Sequence, residues 1–357
     1  MSRVLIVKFG AIGDVVMALP AAYALYQREA SNSQIDWVCG PVVAPLLACY
    51  PWVRTIVADD RAILKGSAAE RVRALARLWR AIGGVKYELC ATLYYDARYR
   101  MVTLPLRARR KVMLSWTDRK RALLMGRHHT DEYARILLGL EDGERPLGLA
   151  PVRPENLPGS PLIRTGTRPR VVLAPAGAKN MMRDDALRRW PVENYVALAS
   201  ALFERDVEVV LAGGTGDLWA VPYFEGLAVT DMIGKLTLPE MLALLDDSDV
   251  MVTHDTGPLH LAGITGVGIV SIFGPTDPRG RLPQRTNTLA LWGGEGFACR
   301  PCYDGRDYAP CLHNGCMRQV SVEMVVREVE RMIDQKRSGR SMPPRVVTPE
   351  STVVAEL

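Results

Sequence analysis

The stretch Asp249-Val250-Met251-Val252-Thr253-His254-Asp255-Thr256-Gly257-Pro258-Leu259-His260 predicts a buried strand that turns sharply into a helix. Thr256 is a candidate N-cap, Gly257 lets the backbone approach a ligand, and Pro258 suits a first helical turn. Free N–H groups and the positive end of the helix dipole would then face the space above the strand. The pattern favours an anion site, with phosphate as the main candidate, although an ordinary capped helix also explains it.

Apolar runs and amphipathic segments alternate on both sides of this stretch, which predicts an α/β protein with parallel, doubly wound sheets. The predicted strands are Arg3–Phe9, Gln34–Cys39, Thr55–Ala58, Tyr87–Leu93, Lys111–Leu114, Arg170–Ala174, Val207–Ala212, Val250–Thr253 and Gly268–Phe273. The predicted helices are Asp14–Glu29, Ala68–Ile82, Asp131–Leu140, Val192–Glu204, Leu238–Asp246, Pro258–Thr265 and Ser321–Gln335.

The length of 357 residues is too great for one ordinary core and predicts two domains. From Gly143 to Pro169 the periodic pattern stops and proline and glycine are dense, as in an interdomain linker. We therefore expect Rossmann-like domains at 1–150 and 151–337, and a poorly ordered tail at 338–357. Ligands bind at the carboxyl ends of strands in such sheets, which predicts a cleft between the two domains.

The composition is that of a globular protein, with 48% hydrophobic and 24% charged residues and a mean hydropathy of +0.02. No apolar run reaches the roughly 18 residues of a membrane-spanning helix. The first nine residues have the length of a buried strand rather than of a secretory signal. We therefore expect a cytoplasmic protein. Seven cysteines in a chain of this length do not suggest a disulfide scaffold.

The formal net charge of +6 is unevenly spread. Between Arg61 and Arg135 there are 18 Lys or Arg residues against 6 Asp or Glu residues. This excess fits either solvated helix faces or a surface for an anionic partner. No signature of a nucleic-acid-binding motif is present, so the expected partner is an acidic glycan, a phosphorylated lipid or a membrane face rather than nucleic acid.

A second glycine-containing turn follows the first predicted strand, in Lys8-Phe9-Gly10-Ala11-Ile12-Gly13-Asp14. Its spacing differs from the G-x-G-x-x-G fingerprint of dinucleotide-binding proteins, which argues against a nicotinamide or flavin enzyme. Asp14 lies near a predicted helix N-terminus, where a carboxylate contributes about 0.3–1 kcal/mol through the helix dipole. The functional alternative is a general base.

Gly10–Pro20 and Asp255–Pro278, which ends in Ile272-Phe273-Gly274-Pro275-Thr276-Asp277-Pro278, together resemble the family 9 glycosyltransferases, the ADP-heptose heptosyltransferases of lipopolysaccharide core assembly. The resemblance extends over most of residues 1–335. It implies the glycosyltransferase-B fold, in which two Rossmann-like domains face each other across a cleft. The first would hold the acceptor and the second the nucleotide sugar. It also implies inversion at the anomeric carbon and no catalytic metal.

The resemblance makes Asp14 the candidate catalytic base. The donor diphosphate would be held by Thr256 and Gly257 within a motif that includes Asp255 and His260, and by Arg188, which stands where the family usually has lysine. Asp217 would lie near the ribose or cap the next helix, and Leu236 would pack against adenine. Gly177, Ala178 and Lys179 follow the first predicted strand of the second domain and should form another wall of the donor site. Arg98 and Arg100 follow the predicted strand Tyr87–Leu93 at its carboxyl end, where they would meet anionic groups of the acceptor, and Gly13 is a further acceptor candidate.

Four cysteines, Cys299, Cys302, Cys311 and Cys316, have the spacing C-x₂-C-x₈-C-x₄-C in a loop rich in glycine and proline. Four thiolates at such a spacing suit a structural zinc or iron ion, which would order a loop with little core of its own. Reduced or partly disulfide-paired cysteines are the alternative.

The leading hypothesis is an inverting transfer of heptose from ADP-heptose to an acidic lipopolysaccharide inner-core acceptor, by an enzyme in peripheral contact with the inner membrane. A protein O-heptosyltransferase of the same family is the second hypothesis. The third is a non-catalytic module that binds a sugar nucleotide or a glycan. The joint presence of Asp14, Asp255 and Arg188 argues against the third.

Overall fold

A computed structural model describes residues 3–29, 34–121, 127–140, 149–164, 166–179 and 183–349. The chain divides into two compact units, Met1–Asn156 and Leu157–Leu357. Each unit has its own parallel sheet covered by helices, so the predicted α/β class and the two Rossmann-like sheets are confirmed. Among the described residues, no helix combines the length and the apolar character needed to cross a membrane.

The first unit has a five-stranded parallel sheet in the order β3-β2-β1-β4-β5. Its strands are β1 Val4–Val7, β2 Ile35–Cys39, β3 Val53–Val57, β4 Lys86–Thr92 and β5 Arg107–Met113. Its helices are α1 Ile12–Glu29, α2 Ala44–Leu47, α3 Asp60–Lys65, α4 Ala68–Ile82, α5 Arg98–Val102, α6 Trp116–Arg121 and α7 His129–Leu138. β1 is central and buried along its whole length, as expected for a strand covered on both faces.

Local sequence explains where the helices of this unit begin. Ser67 and Glu70 form a capping box at the start of α4, each satisfying an N–H group of the other's backbone. Leu75, Leu78 and Ile82 of the same helix are buried, so its apolar stripe packs on the sheet. Four residues separate the start of α1 from the end of β1, and this short connection places the first turn of α1 at the carboxyl edge of the sheet.

The second unit has a seven-stranded parallel sheet in the order β12-β11-β10-β9-β6-β7-β8. Its strands are β6 Arg170–Leu173, β7 Glu208–Leu211, β8 Val229–Asp231, β9 Val250–His254, β10 Gly268–Phe273, β11 Thr288–Trp292 and β12 Arg345–Val347. Its helices are α8 Val192–Phe203, α9 Leu238–Asp246, α10 Gly257–Gly263, α11 Gly315–Arg318 and α12 Val322–Arg337.

The pairing of β6 with β9 brings two distant loops together. Leu173 of β6 is level with Val252 of β9, and the N–H of Ala174 donates to the carbonyl of Val252 at 3.0 Å. Both strands run in the same direction, so the segments that follow them leave the sheet at the same edge. The loop after β6 therefore lies beside the start of α10.

All nine predicted strands overlap observed strands, and three observed strands, β8, β11 and β12, were missed. The prediction of a poorly ordered tail is wrong for part of it, because Arg345–Val347 pairs in parallel with β11. Residues 350–357 lie outside the described residues, as do residues 141–148 of the predicted linker. The described linker residues 149–164 form no helix or strand.

Candidate active site

Lys8 and Asp14 form an ion pair at the carboxyl end of β1. Lys8 Nζ lies 2.8 Å from Asp14 Oδ2, and their side chains are 1% and 23% exposed respectively. The ammonium group also lies 4.5 Å from the ring centroid of Tyr94. A fully buried cation thus fixes a carboxylate that is partly open to solvent. This arrangement keeps a hydrogen-bond acceptor in one place in the first turn of α1, where the helix dipole also favours negative charge.

Lys8 and Asp14 line an open concavity within the first unit, with about 320 Å³ of empty space including the part open to solvent. Its other lining residues follow the ends of β4 and β5 or lie on α6 and α7, and are Leu93, Tyr94, Tyr95, Leu114, Asp118, His129, Glu132 and Tyr133. Arg135 forms ion pairs with Asp118 and Glu132, so one guanidinium group holds two of the carboxylates that line the concavity. None of these lining residues was predicted from the sequence, although Leu93, Tyr94 and Tyr95 follow the predicted strand Tyr87–Leu93 or end it.

The two arginines predicted at the acceptor differ in their surroundings. Arg98 pairs with Asp96, with Nη2 at 2.5 Å from Oδ2, and its Nη1 donates to the carbonyl of Leu64 at 2.5 Å. The hydrogen bond from Arg98 lowers the pKa of Asp96. Arg100 is exposed on α5. Gly13 is buried in the first turn of α1. The charge of Arg98 is therefore largely balanced by Asp96, whereas that of Arg100 faces solvent.

Asp255, directly after β9, is the centre of a buried ionic cluster in the second unit. Its side chain is 2% exposed, and its Oδ2 accepts a hydrogen bond from Thr276 Oγ1 at 2.7 Å. Arg188 Nη1 lies 3.4 Å and Arg281 Nε 3.6 Å from the same oxygen. Burial alone would raise the pKa of Asp255, but Arg281, Arg188 and His260 lower it to about 2. The carboxylate is therefore ionised at neutral pH and anchors two guanidinium groups.

Arg188 lies in a 3₁₀ turn at Ala186–Arg188. Its Nε donates to the hydroxyl of Tyr308 at 2.5 Å, and its Nη2 lies 3.6 Å from Asp185 Oδ2. Burial works against the charge of Arg188, but Asp255, Tyr308 and Asp185 together raise its pKa above the usual value. The structure thus places a permanently charged group beside Asp255, where the sequence analysis expected a cation.

The loop after β6 is locked to the start of α10. The N–H of Ala178 donates to Thr256 Oγ1 at 2.8 Å, and a Cβ atom at Gly177 would lie 2.6 Å from that oxygen. Gly177 also has a φ of +95°, which a side chain disfavours. Thr256 occupies the N-cap position of α10, but its hydroxyl makes no capping bond. The predicted side-chain cap is therefore wrong, because the hydroxyl of Thr256 is engaged by the neighbouring loop.

Asp217 bridges two loops. Its Oδ1 accepts from the N–H of Gly177 at 2.9 Å and its Oδ2 from the N–H of Gly214 at 2.8 Å. This is the capping alternative of the sequence analysis, and contact with a ribose stays a prediction. Lys179 is exposed and Leu236 is half-buried.

The four clustered cysteines are free thiols. Burial raises the pKa of the Cys316 thiol to about 11, and Cys302, Cys311 and Cys299 contribute in the same direction. Within the described part of the chain, however, no three His, Cys, Asp or Glu side chains are arranged to hold a metal ion. A structural metal at the four cysteines therefore stays a prediction.

The same loop supplies two residues that the sequence analysis missed. The guanidinium carbons of Arg188 and Arg281 lie 5.2 and 5.4 Å from the ring centroid of Tyr303, within cation–π range. Tyr308 accepts the hydrogen bond from Arg188 described above. Arg281 was also missed, although Pro278-Arg279-Gly280-Arg281 follows directly on the motif that carries the resemblance.

Three solved structures share this fold. The Escherichia coli ADP-heptose lipopolysaccharide heptosyltransferase II has a TM-score of 0.69 at 17% identity, covering 94% of this chain and 100% of that one. The E. coli heptosyltransferase WaaC with ADP has a TM-score of 0.66 at 20% identity over 92% and 99% of the two chains. The iron-containing dodecameric glycosyltransferase TibC from enterotoxigenic E. coli has a TM-score of 0.58 at 16% identity over 94% and 76%. The protein therefore has the glycosyltransferase-B fold.

Sequence comparison relates the chain to a family of enzymes. Residues 149–313 match the family described as glycosyltransferase family 9 (heptosyltransferase). Lipopolysaccharide heptosyltransferase 3 of E. coli is 22% identical over 351 residues, which cover 92% of this chain and 99% of that protein. Lipopolysaccharide heptosyltransferase 1 of Pseudomonas aeruginosa is 27% identical over 366 residues, covering 97% and 96%. The chain is thus similar to glycosyltransferase family 9 over residues 149–313 and to heptosyltransferases over most of its length, and it is a glycosyltransferase.

Proposed function

We propose that this protein is an inverting heptosyltransferase that transfers heptose from ADP-heptose to an acidic lipopolysaccharide inner-core acceptor. The observation that carries the proposal is the buried cluster at the end of β9, where Arg188 and Arg281 converge on Asp255. Two fixed guanidinium groups at the carboxyl end of a strand suit the diphosphate of a nucleotide sugar. The names of the relatives support heptose as the sugar and lipopolysaccharide as the acceptor.

The donor half of the reaction needs stabilisation of the departing diphosphate. When the bond between the anomeric carbon and the phosphate oxygen breaks, both bonding electrons leave with ADP. Arg188, together with backbone N–H groups at the start of α10, would stabilise the negative charge that develops on ADP. Asp255 holds Arg188 in position before the donor arrives. These groups are pre-organised, so little reorganisation is required during the reaction.

The acceptor half of the reaction needs a base. As the acceptor hydroxyl oxygen forms its bond to the anomeric carbon from the opposite face, Asp14 would take the hydroxyl proton. General base catalysis of this kind contributes typically 10²–10⁴ in rate. The contact with Lys8 supports this role, because it fixes the orientation of the carboxylate while leaving Asp14 partly exposed to a substrate.

The basic segment supports an anionic acceptor. Arg107, Arg109, Arg110 and Lys111 are exposed on β5, the edge strand of the first sheet. A row of cations of this kind would attract phosphate or carboxylate groups of an inner-core acceptor and the anionic face of the inner membrane. On this proposal the enzyme acts at the cytoplasmic side of that membrane, with peripheral contact.

The decisive experiment offers ADP-heptose together with a lipid-core acceptor or with a serine-rich protein, and compares wild type with Asp14→Ala. We expect transfer to the lipid core only, loss of transfer in Asp14→Ala, and ADP binding by both proteins in a thermal-shift assay. Glu29→Gln, on the surface of the same helix, is the matched control and should transfer normally. Unchanged turnover in Asp14→Ala would refute the base assignment, and transfer to the protein alone would replace the acceptor.

The structural metal proposed for Cys299, Cys302, Cys311 and Cys316 rests on their spacing in the sequence. Elemental analysis of protein purified without chelator should find about one zinc or iron ion per chain, and a Cys302→Ser/Cys316→Ser variant should lose it. Metal-free wild-type protein with free thiols would leave the reduced-cysteine alternative.

A further inference from the structure

We infer that Arg281 is a second cationic contact to the diphosphate of the nucleotide sugar, so that Arg188 and Arg281 act as a pair on the leaving group. The inference rests on the proposed function. It concerns a residue to which neither the resemblance nor its motifs gave a role.

The first observation is the position of Arg281. It follows a short 3₁₀ turn at Pro278–Gly280, and its side chain is 7% exposed. Its Nε lies 3.6 Å from Asp255 Oδ2, the oxygen that Arg188 Nη1 approaches to 3.4 Å. Arg281 is therefore as close to the carboxylate that anchors the predicted donor site as Arg188 is.

The second observation is that the two arginines depend on the same carboxylate. Arg188 and Arg281 both approach Asp255, and Asp185, the other carboxylate beside Arg188, also pairs with Arg183. Among the described residues, Asp255 is the one carboxylate within ion-pair distance of Arg281. An anion that binds beside the two arginines would add to the compensation of their buried charge.

The third observation separates the two arginines. Arg188 already donates its Nε to the hydroxyl of Tyr308. The buried Nη2 of Arg281, in contrast, has no hydrogen-bond partner among the described residues. Buried donors are nearly always satisfied in folded proteins, so this N–H group is a candidate donor to a bound ligand. Phosphate oxygens match it, because arginine recognises phosphate through its planar set of N–H donors.

The fourth observation concerns the environment of the pair. Both guanidinium groups lie over the ring of Tyr303, and the two arginine side chains are only 12% and 7% exposed. Electrostatic interactions strengthen where water is excluded, and they count most when charge grows on the leaving group. Arg281 should therefore contribute both to nucleotide binding and to turnover.

The test measures the affinities of ADP and adenosine by calorimetry, and kcat with ADP-heptose, for wild type, Arg281→Gln and Arg281→Lys. Loss of one charge-assisted contact should weaken ADP binding about 10- to 100-fold in Arg281→Gln, with lower kcat and unchanged adenosine affinity. Arg281→Lys keeps the charge without the planar fork and should recover part of the ADP affinity. The matched control, Arg279→Gln, removes an exposed arginine paired with Asp277 and should behave as wild type.

The outcomes are distinguishable. Wild-type ADP affinity and kcat in Arg281→Gln would overturn this inference alone, and equal losses of ADP and adenosine affinity would overturn it in favour of a purely structural role. If Arg281→Gln does not fold, Arg281→Lys decides, because a loss of ADP affinity with adenosine affinity retained supports the phosphate contact and wild-type affinity refutes it. Wild-type protein that does not bind ADP would overturn the proposed function and this inference together.

Discussion

Lys8 and Asp14 are joined at 2.8 Å, yet only one of them is fully buried: the lysine side chain is 1% exposed and the aspartate side chain 23%. Removing one residue of the pair therefore has a different energetic consequence from removing the other. Removing the carboxylate takes a counter-charge from a buried ammonium, whereas removing the ammonium leaves a carboxylate that water reaches. Stability and activity should respond differently to the two changes.

We expect Asp14→Ala to lower the free energy of unfolding by about 1–3 kcal/mol, and Lys8→Met to lower it less. Lys8→Met should instead lower kcat about 10- to 100-fold with the KM for donor unchanged, because the base loses its fixed orientation. Lys8→Arg should recover part of the activity. Urea unfolding and steady-state kinetics measure these effects. A KM effect of Lys8→Met without a kcat effect would contradict a positioning role.

Gly177 is expected to tolerate no side chain. Gly177→Ala places a Cβ atom 2.6 Å from Thr256 Oγ1 and strains a residue with φ of +95°. The variant should lose about 1–3 kcal/mol of stability and bind ADP more weakly, because the loop and the start of α10 move apart. Gly216→Ala is the matched control, since a Cβ there meets nothing within 4 Å. Equal melting temperatures for the two variants would show that this contact yields easily.

His254 makes stability depend on pH. Burial, assisted by Arg189 and Arg188, lowers its pKa from 6.5 to about 3. Between these two pKa values the unfolded chain binds a proton at His254 and the folded protein does not. The contribution of neutral His254 to the free energy of unfolding is therefore complete above pH 6.5 and is lost as the pH falls towards 3. His254→Gln should make the fall in unfolding free energy between pH 6.5 and 4 shallower by up to about 1.4 kcal/mol per pH unit.

Urea titrations at pH 7, 6, 5 and 4 measure that slope. The exposed His313 is the matched control, and His313→Gln should keep the wild-type slope. An unchanged slope in His254→Gln would mean that the pKa of His254 in the folded protein is close to its value in the unfolded chain.

The basic edge strand separates the two interpretations of the charge excess. The double variant Arg107→Glu/Lys111→Glu leaves the pair between Arg109 and Glu88 intact. If β5 meets an anionic acceptor, the KM for acceptor should rise about 10-fold at low salt and depend less on ionic strength, with ADP affinity unchanged. Arg337→Glu/Arg340→Glu reverses two exposed charges in the other unit and should have no such effect. An unaltered KM would leave β5 as a solvated edge whose charges deter strand pairing between molecules.

Much of the fold follows from local pattern, and the exceptions have physical causes. Central strands such as β1 and β9 are buried on both faces, so they are continuous apolar runs that the sequence displays openly. β12 has only three residues and is a strand because it pairs with the edge of β11. No local sequence pattern encodes that pairing. β11 itself is apolar, Thr288–Trp292, and was a recoverable omission.

The site divides in the same way. Asp14, Asp255 and Thr256 belong to short motifs at strand ends, where the turn and the chemistry share a few consecutive residues. Arg281 and Tyr303 acquire their surroundings only when β9, β10 and the cysteine loop fold together, so their contacts span tens of residues. Asp217 was identified from its motif, but its role was not, because a carboxylate that caps a turn and one that contacts a ribose look alike in sequence.

The short strand β12 also determines how far the protein can be truncated at its C-terminal end without exposing a sheet edge. Ending the chain at Ser338, directly after α12, would strip the outer partner from Leu289, Ala290 and Leu291. The N–H and C=O groups of these residues would then be unpaired at an exposed, apolar sheet edge, which can pair with a strand of another molecule. A protein trimmed for crystallisation at the end of its last helix would thus be more prone to aggregate than one that retains the residues up to Val347.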